Sequence, residues 1–586
     1  MTQNISPPIR RAALFFILIL VVTFAVSLTL QCHDISEYFF KTQDFVGSAL
    51  AIGLLLWLPR VLSLRFGAGR LLAWVSLHPR ASLWALCLGV GLCGWIGWRV
   101  VFGGYALSED EFMALFDAEI FRKGALIAPL DPVWRPFNTA LQPMFQISLT
   151  SGAAWSSSYY PVNAAALAAM DVAGLRSATG GLWAALSVGL CYRLARQLWP
   201  DTPAAAYAAA LLLASSSQLI VTAMTPYAMS AHLALNLLWL NLFLARGKLS
   251  QGLALATAFA ATGLHQLAFH PLFAAPFVGR LWLDRQFGRA AFHTAGYLLI
   301  AAVWTHYWDF ALWTAHLDRG REIRAALDPF KVAVSQLQAL NGYALQWQLE
   351  NLCRATSWQN PLAFALFLVG APLAFRAGGV ERSLLYALIL TTAVVTAIEP
   401  YQGHGWGYRY LHGLLGAFVI IAVRGAVSIW PTASGGLSRR AIPWVLTSAL
   451  LSILVLAPVR MIQAHVWSSP YSRAHALISN AKADIVLVNS DGLAFADDLA
   501  RNDPWLGNHP KVMSVMSMSP AQISAACRLG KIEIFDRTVG DQLGISEFDP
   551  PKHENDVQIK LDTLGALQHS GHCGTVLGLN SVKPKF

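Results

Sequence analysis

Three adjacent carboxylates, Glu109-Asp110-Glu111, follow directly on a long apolar run and precede the amphipathic stretch Phe112–Lys123. Side by side such groups repel, and each loses its proton less readily unless a cation or hydrogen-bond donors intervene, which is how a general base is brought toward working pH. The same residues also read as an ordinary helix start, with Ser108 as N-cap, Glu111 at the third position and acids at the positive end of the helix dipole. A second candidate is Gly403-His404-Gly405-Trp406-Gly407-Tyr408-Arg409-Tyr410-Leu411, one arginine among three aromatic rings and three glycines. The planar fork of arginine suits phosphate and stays charged, and glycine lets the backbone approach a ligand. Arg409, with Tyr408 and His404, is therefore a candidate donor phosphate site; its plainer reading is an interfacial anchor snorkelling to head groups.

Weaker candidates surround these two. Glu399, beside Pro400, could pair with Arg409 or bind an acceptor, and Tyr160 and Tyr227 could line a groove. Arg354 could add a phosphate contact. Alternatively, with Arg319, Arg321, Arg324 and Lys331, it belongs to an amphipathic helix lying on anionic lipid. His265 and His270 stand five apart, a poor spacing for two ligands on one helix face, and read as core or interfacial histidines. No cofactor is certain and no metal ligands are assigned; metal dependence stays open, since the three acids could hold a divalent cation.

The elements that must position these residues follow from composition. Of 586 residues 55% are hydrophobic and only 13% charged, about half the charged share of a soluble domain. Disorder, coiled coil and an ordinary soluble enzyme are excluded. Thirteen apolar segments, from 12–30 to 443–460, read as membrane spans, and the first reads as a retained anchor. With the N-terminus inside, the predicted cytoplasmic pieces hold 18 Lys/Arg, Arg65 and Arg70 among them, while the four short outer loops hold only Lys41 and Arg409. That asymmetry places the N-terminus in the cytoplasm and the C-terminal domain on the external, periplasmic face. It also accounts for the net charge of +10 without nucleic acid.

The expected organisation is a two-span extension at 1–80, a transmembrane catalytic domain at 81–460 with external loops 103–177 and 312–360, and an external domain at 461–586. The tail carries 11 Lys/Arg against 13 Asp/Glu and no long apolar run. Ala483–Asp491, Lys511–Met516 and Ile532–Asp536 read as strands separated by helices, a small α/β domain with a parallel sheet. Cys527 and Cys573 both fall there and could form a disulfide in an oxidising compartment.

An acidic pair just past a span, followed by a helix ending in Gly124, resembles the first external loop of the GT-C glycosyltransferases, multi-span enzymes that include protein O-mannosyltransferases and aminoarabinose transferases acting on lipid A. Trp155–Ala164, with Tyr159-Tyr160-Pro161, and the Gly403–Leu411 segment resemble two further family motifs in the same order. The resemblance covers roughly 81–430 and implies a mainly α, polytopic membrane fold of GT-C type. It implies a polyprenyl-phosphate-linked sugar donor, membrane lipid as a partner, and a glycolipid, glycan or protein acceptor. Carried over by position, Asp110 is the catalytic base or acceptor-orienting residue, with Glu111 and Glu109 beside it, and Arg409 meets the donor phosphate. Two alternatives remain: a polysaccharide polymerase or ligase centred on 312–360, and a transporter or flippase, which would carry acids inside its spans.

Overall fold

The computed structural model describes residues 6–63, 78–147, 149–318, 334, 342–433, 435–545 and 555–578. Arg65, Arg70, Arg319, Arg321, Arg324 and Lys331 lie outside the described residues. Among those described, six helices are long and apolar enough to cross a bilayer: Pro7–Leu30, Ile35–Leu62, Arg80–Val100, Gly379–Ile398, Arg409–Ile429 and Arg439–Ser479. The chain is an integral membrane protein. A further crossing arises if Ala344–Ser357 and Pro361–Ala377, bent by 110°, count as one span.

Among the described residues, the six or seven helices of crossing length do not confirm the count of thirteen. The apolar run at 204–222 breaks into Pro203–Ala214 and Ser217–Thr222, because the Ser216 hydroxyl accepts the Leu219 N–H at 3.2 Å and starts a new helix. Met229–Leu244 has 16 residues, about 24 Å of rise, short of the ~30 Å hydrocarbon core. Hydropathy runs through such breaks; hydrogen bonding does not. The predicted outer loop 31–44 also shrinks, since the second long helix starts at Ile35 and draws Glu37 and Asp44 into it.

The chain divides into two compact units, one of Met1–Val101, Ser177–Thr305 and Phe330–Ala464, the other of Phe102–Arg176, His306–Pro329 and His465–Phe586. In the first, the helix Ala344–Ser357 is inverted relative to the expected surface helix. It buries Gln346, Glu350, Asn351 and Arg354, while Leu345 and Leu352 are exposed. A helix resting on lipid head groups would turn its charges outward; one packed among membrane helices turns polar groups toward partners and apolar ones toward lipid. Arg354 finds its partner in Asp44, with Nε to Oδ2 at 2.7 Å. The Trp358 Nε1–H donates to the other carboxylate oxygen at 2.8 Å. The helix then breaks at Asn360, whose side chain caps the next one ahead of Pro361.

In the second unit, loop and tail share one hydrophobic core: Phe116, Ile120 and Trp155 pack with Ile485, Leu487, Met513 and Ile534. The Trp155 Nε1–H donates to the Pro504 carbonyl at 2.7 Å. The tail forms a parallel four-stranded sheet in the order Lys511–Ser514, Ile485–Val488, Ile532–Phe535, Thr575–Val576, as the α/β reading expects. Ile485–Val488 is buried along its whole length, as a central parallel strand covered on both faces must be. Cys527 and Cys573 are joined as a disulfide. The helix expected after the first strand is only the short turn Ala496–Leu499. Pro504, Gly507 and Pro510 follow, and proline cannot supply the N–H that a helix interior needs.

Candidate functional site

The acidic triplet opens the helix Glu109–Arg122 in the second unit. Ser108 and Glu111 form a reciprocal capping box: the Glu111 N–H donates to Ser108 Oγ at 3.3 Å, and the Ser108 N–H donates to Glu111 Oε2 at 2.9 Å. Helix-start chemistry thus claims Glu111. Glu109 is buried, accepts the Gln142 side-chain N–H and lies 3.7 Å from Arg501 Nε. Arg501 also donates to the carbonyls of Ala106 and Leu107 and lies beneath the rings of Tyr105 and Phe112, at 4.4 and 5.0 Å from their centroids. One guanidinium from the tail therefore grips both sides of the triplet. Asp498 is buried beside Glu109 and Arg501; burial pushes both acids upward, helped by the Glu109 carboxylate for Asp498 and by Asp110 and Asp497 for Glu109. Asp110 stands between Glu109 and Glu111 in the chain. It is 8% exposed, the most open of the three, and its Oδ1 accepts the Tyr159 hydroxyl.

Burial also pushes Glu111 and Asp117 up to about 7, outweighing for Asp117 the Ser157 N–H and the Ser156 hydroxyl, at 2.9 and 3.0 Å, that favour its charged form. Such acids keep protons in the folded state that the unfolded chain has already lost. Their stabilisation is complete below the unfolded pKa and disappears as pH rises through about 7. Thermal unfolding of this unit is expected to show a falling midpoint from pH 5 to pH 8, each buried acid contributing on the order of 2 kcal/mol. Asp117→Asn retains an oxygen for both serine donors and should flatten that slope; an unchanged slope would count against it.

The first unit holds the other candidates except Tyr160. Arg409 opens the short helical turn Arg409–Leu414. Its N–H donates to Gln402 Oε1 at 3.0 Å, and its guanidinium donates to the Tyr410 hydroxyl at 3.3 Å. Glu399 shares that hydroxyl, so Arg409 and Glu399 meet through Tyr410. His404 is buried in the same loop, and Trp406 packs near Phe39 and Trp358, with centroids 6.3 Å away in each case. Tyr227 is buried in the turn before Met229–Leu244. Tyr160 belongs to the second unit, with centroids 6.2 Å from Tyr307 and 6.5 Å from Trp308. Arg354 is occupied by Asp44 and by the Ser36 carbonyl, which its second nitrogen reaches at 2.8 Å.

Two cavities meet on the Arg409 segment. A groove of about 570 Å³ is lined mostly by apolar side chains, among them Leu352, Phe367 and Phe418, with Tyr408, three glutamines (Gln218, Gln348, Gln359) and two threonines as polar members. A second, small pocket is lined by Arg409, Tyr410, His232, Asn236, His265 and Thr391. Leu414 belongs to both. Adjacent residues thus serve an apolar channel and a cationic polar one, a pattern fit for an amphiphile with an anionic head. Sequence reading missed Arg501, Asp498, Gln142, His232 and Thr391; only Tyr159, next to Tyr160 in the aromatic motif, carried a local signal. Among the described residues, no three His, Cys, Asp or Glu side chains gather where a metal ion could be held.

No protein-family model matches the chain, and no curated protein matches it. Among solved structures it is similar to the crystal structure of ArnT from Cupriavidus metallidurans in the apo state, with TM-score 0.45 and 14% identity over 73% of this chain and 85% of that one. It is also similar to ArnT from the same organism bound to undecaprenyl phosphate, with TM-score 0.49 and 12% identity over 84% of this chain and 89% of that one.

Proposed function

We propose that the chain is a GT-C-type membrane glycosyltransferase that moves a sugar from a polyprenyl-phosphate donor to a hydroxyl acceptor at the external face. The observation that carries this reading is the apolar groove and the arginine-lined pocket built on one segment, Tyr408–Leu415. A prenyl chain fits the groove, and its phosphate fits Arg409. In this reading Asp110 takes the proton of the acceptor hydroxyl as its oxygen bonds to the anomeric carbon. The bond from that carbon to the phosphate oxygen breaks, and polyprenyl phosphate leaves with the electron pair. Attack opposite the leaving group inverts the anomeric configuration. Phosphate is a weak base and needs no protonation to leave, so one carboxylate suffices where glycoside hydrolases use two. Arg409 stabilises the charge that develops on the departing phosphate.

Ala393→Trp places an indole in the groove, which Ala393 lines. The expected result is a loss of tenfold or more in polyprenyl-phosphate affinity with unchanged thermal stability, measured by native mass spectrometry in detergent. Arg409→Ala should raise the donor KM more than the acceptor KM in a transfer assay on membranes; equal effects on both would remove Arg409 from the donor site. The polymerase or ligase alternative centred on Arg354 is disfavoured by that residue's pairing with Asp44.

A further inference from the structure

His232 is 6% exposed and Thr391 1% exposed, and both line the small pocket with Arg409. Neither ring nitrogen of His232, nor the Thr391 hydroxyl, has a hydrogen-bond partner among the described residues. A buried polar group left unmatched costs roughly 1–3 kcal/mol, so polar groups unmatched at one pocket mark a place built for something else. Their neighbour Asn236 shows the contrast: it donates to the Gly413 carbonyl at 3.0 Å, and its oxygen bonds His270 Nδ1 at 2.7 Å. His270 is also held by the Tyr297 hydroxyl at 2.9 Å and is a core histidine.

Three features make the pocket suit an anion. Arg409 supplies a positive charge and donates to the Tyr410 hydroxyl that Glu399 shares. Met229 and His232 line it from the first turn of Met229–Leu244, the positive end of that helix dipole. A neutral imidazole carries one N–H in either tautomer, and a threonine hydroxyl can turn its proton toward an oxygen. The close approach of the turn to this helix depends on Gly413, where a Cβ would stand 3.3 Å from His232 Cβ and 3.2 Å from Asn236 Nδ2. The volume of about 20 Å³ admits about one water-sized atom.

We propose that His232 and Thr391 form, with Arg409, an oxyanion pocket that seats one non-bridging oxygen of a lipid-borne phosphate. The inference rests on the amphiphile reading of the groove and deepens it: the groove holds the chain, Arg409 neutralises the head, and His232 and Thr391 fix its orientation. Both are positioning residues, distinct from the base.

Undecaprenyl phosphate, undecaprenol and inorganic phosphate, each titrated into the full chain in detergent with native mass spectrometry as the readout, test it. Wild type should prefer undecaprenyl phosphate over both other ligands. His232→Ala and Thr391→Val should each weaken undecaprenyl phosphate binding about tenfold and leave undecaprenol binding unchanged, while His232→Gln, which keeps an N–H, should remain within threefold of wild type. A thermal midpoint within 2 °C of wild type is required of each variant; where His232→Ala fails it, Thr391→Val and His232→Gln decide. Variants that bind undecaprenyl phosphate as wild type does, or lose undecaprenol equally, overturn the pocket and spare the groove. Inorganic phosphate binding as tightly as the lipid overturns the lipid source. A wild type that does not distinguish undecaprenyl phosphate from undecaprenol overturns the amphiphile reading itself, and the pocket with it.

Discussion

Asp110→Asn is expected to lower sugar transfer by about 100- to 10,000-fold, the range typical of a lost general base. The amide is isosteric, and its oxygen can still accept the Tyr159 hydroxyl that meets Asp110 Oδ1. What disappears is the ability to take a proton. The neighbours supply internal controls. Glu111→Gln keeps an oxygen for the Ser108 N–H and should leave activity within a few-fold of wild type. Glu111→Ala breaks the capping box and should cost about 0.5–2 kcal/mol of stability, with activity following only as far as folding does. Transfer of labelled sugar from a polyprenyl-phosphate donor in membranes, normalised to folded protein, separates these outcomes. Full activity of a well-inserted Asp110→Asn variant would end the base assignment. Equal collapse of Asp110→Asn and Glu111→Gln would move it to the triplet as a whole.

The largest effect on stability is expected at Arg354. Removing this side chain in Arg354→Ala leaves Asp44 buried without its closest cation, a loss of about 3–5 kcal/mol for breaking a buried pair. Arg460, with Nη1 at 3.5 Å from the same carboxylate, offsets part of that loss. The pair Asp44→Leu with Arg354→Met should recover only a small part of it, because the buried Arg460 and the Trp358 Nε1–H then lose the same carboxylate. Thermal unfolding in detergent across this double-variant cycle measures the coupling. An Arg354→Met protein of wild-type stability that has lost all transfer would instead favour the rival enzyme built on the 312–360 loop.

Much of the architecture was legible because it is carried by local pattern. Low charge and long apolar runs announce a membrane chain, and alternating strand and helix signals announce the parallel sheet of the tail, since strand burial and helix amphipathicity are written in neighbouring residues. Helix breaks were less legible. Ser216 and Asn360 interrupt apolar sequence by capping, which hydropathy ignores. The inverted helix Ala344–Ser357 has the composition of a surface helix, and only its partners decide that its polar side faces inward.

The candidate site divides the same way. The sequence by itself determined the helix start at Ser108, the three acids behind it and the arginine among glycines and aromatic rings, because caps, carboxylates and guanidinium groups act through their own chemistry and immediate neighbours. The tertiary structure alone decided what meets Glu109 and Asp110. Arg501 and Gln142 engage Glu109, and Tyr159 meets Asp110. It also decided that Arg354 serves Asp44, and that His232 and Thr391 join Arg409 at one pocket. Those assignments depend on groups distant in the chain, hundreds of residues apart for Arg501 with Glu109 and for Arg354 with Asp44, approaching within a few ångströms, and on burial that removes water as the competing partner. Neither is encoded at any single position.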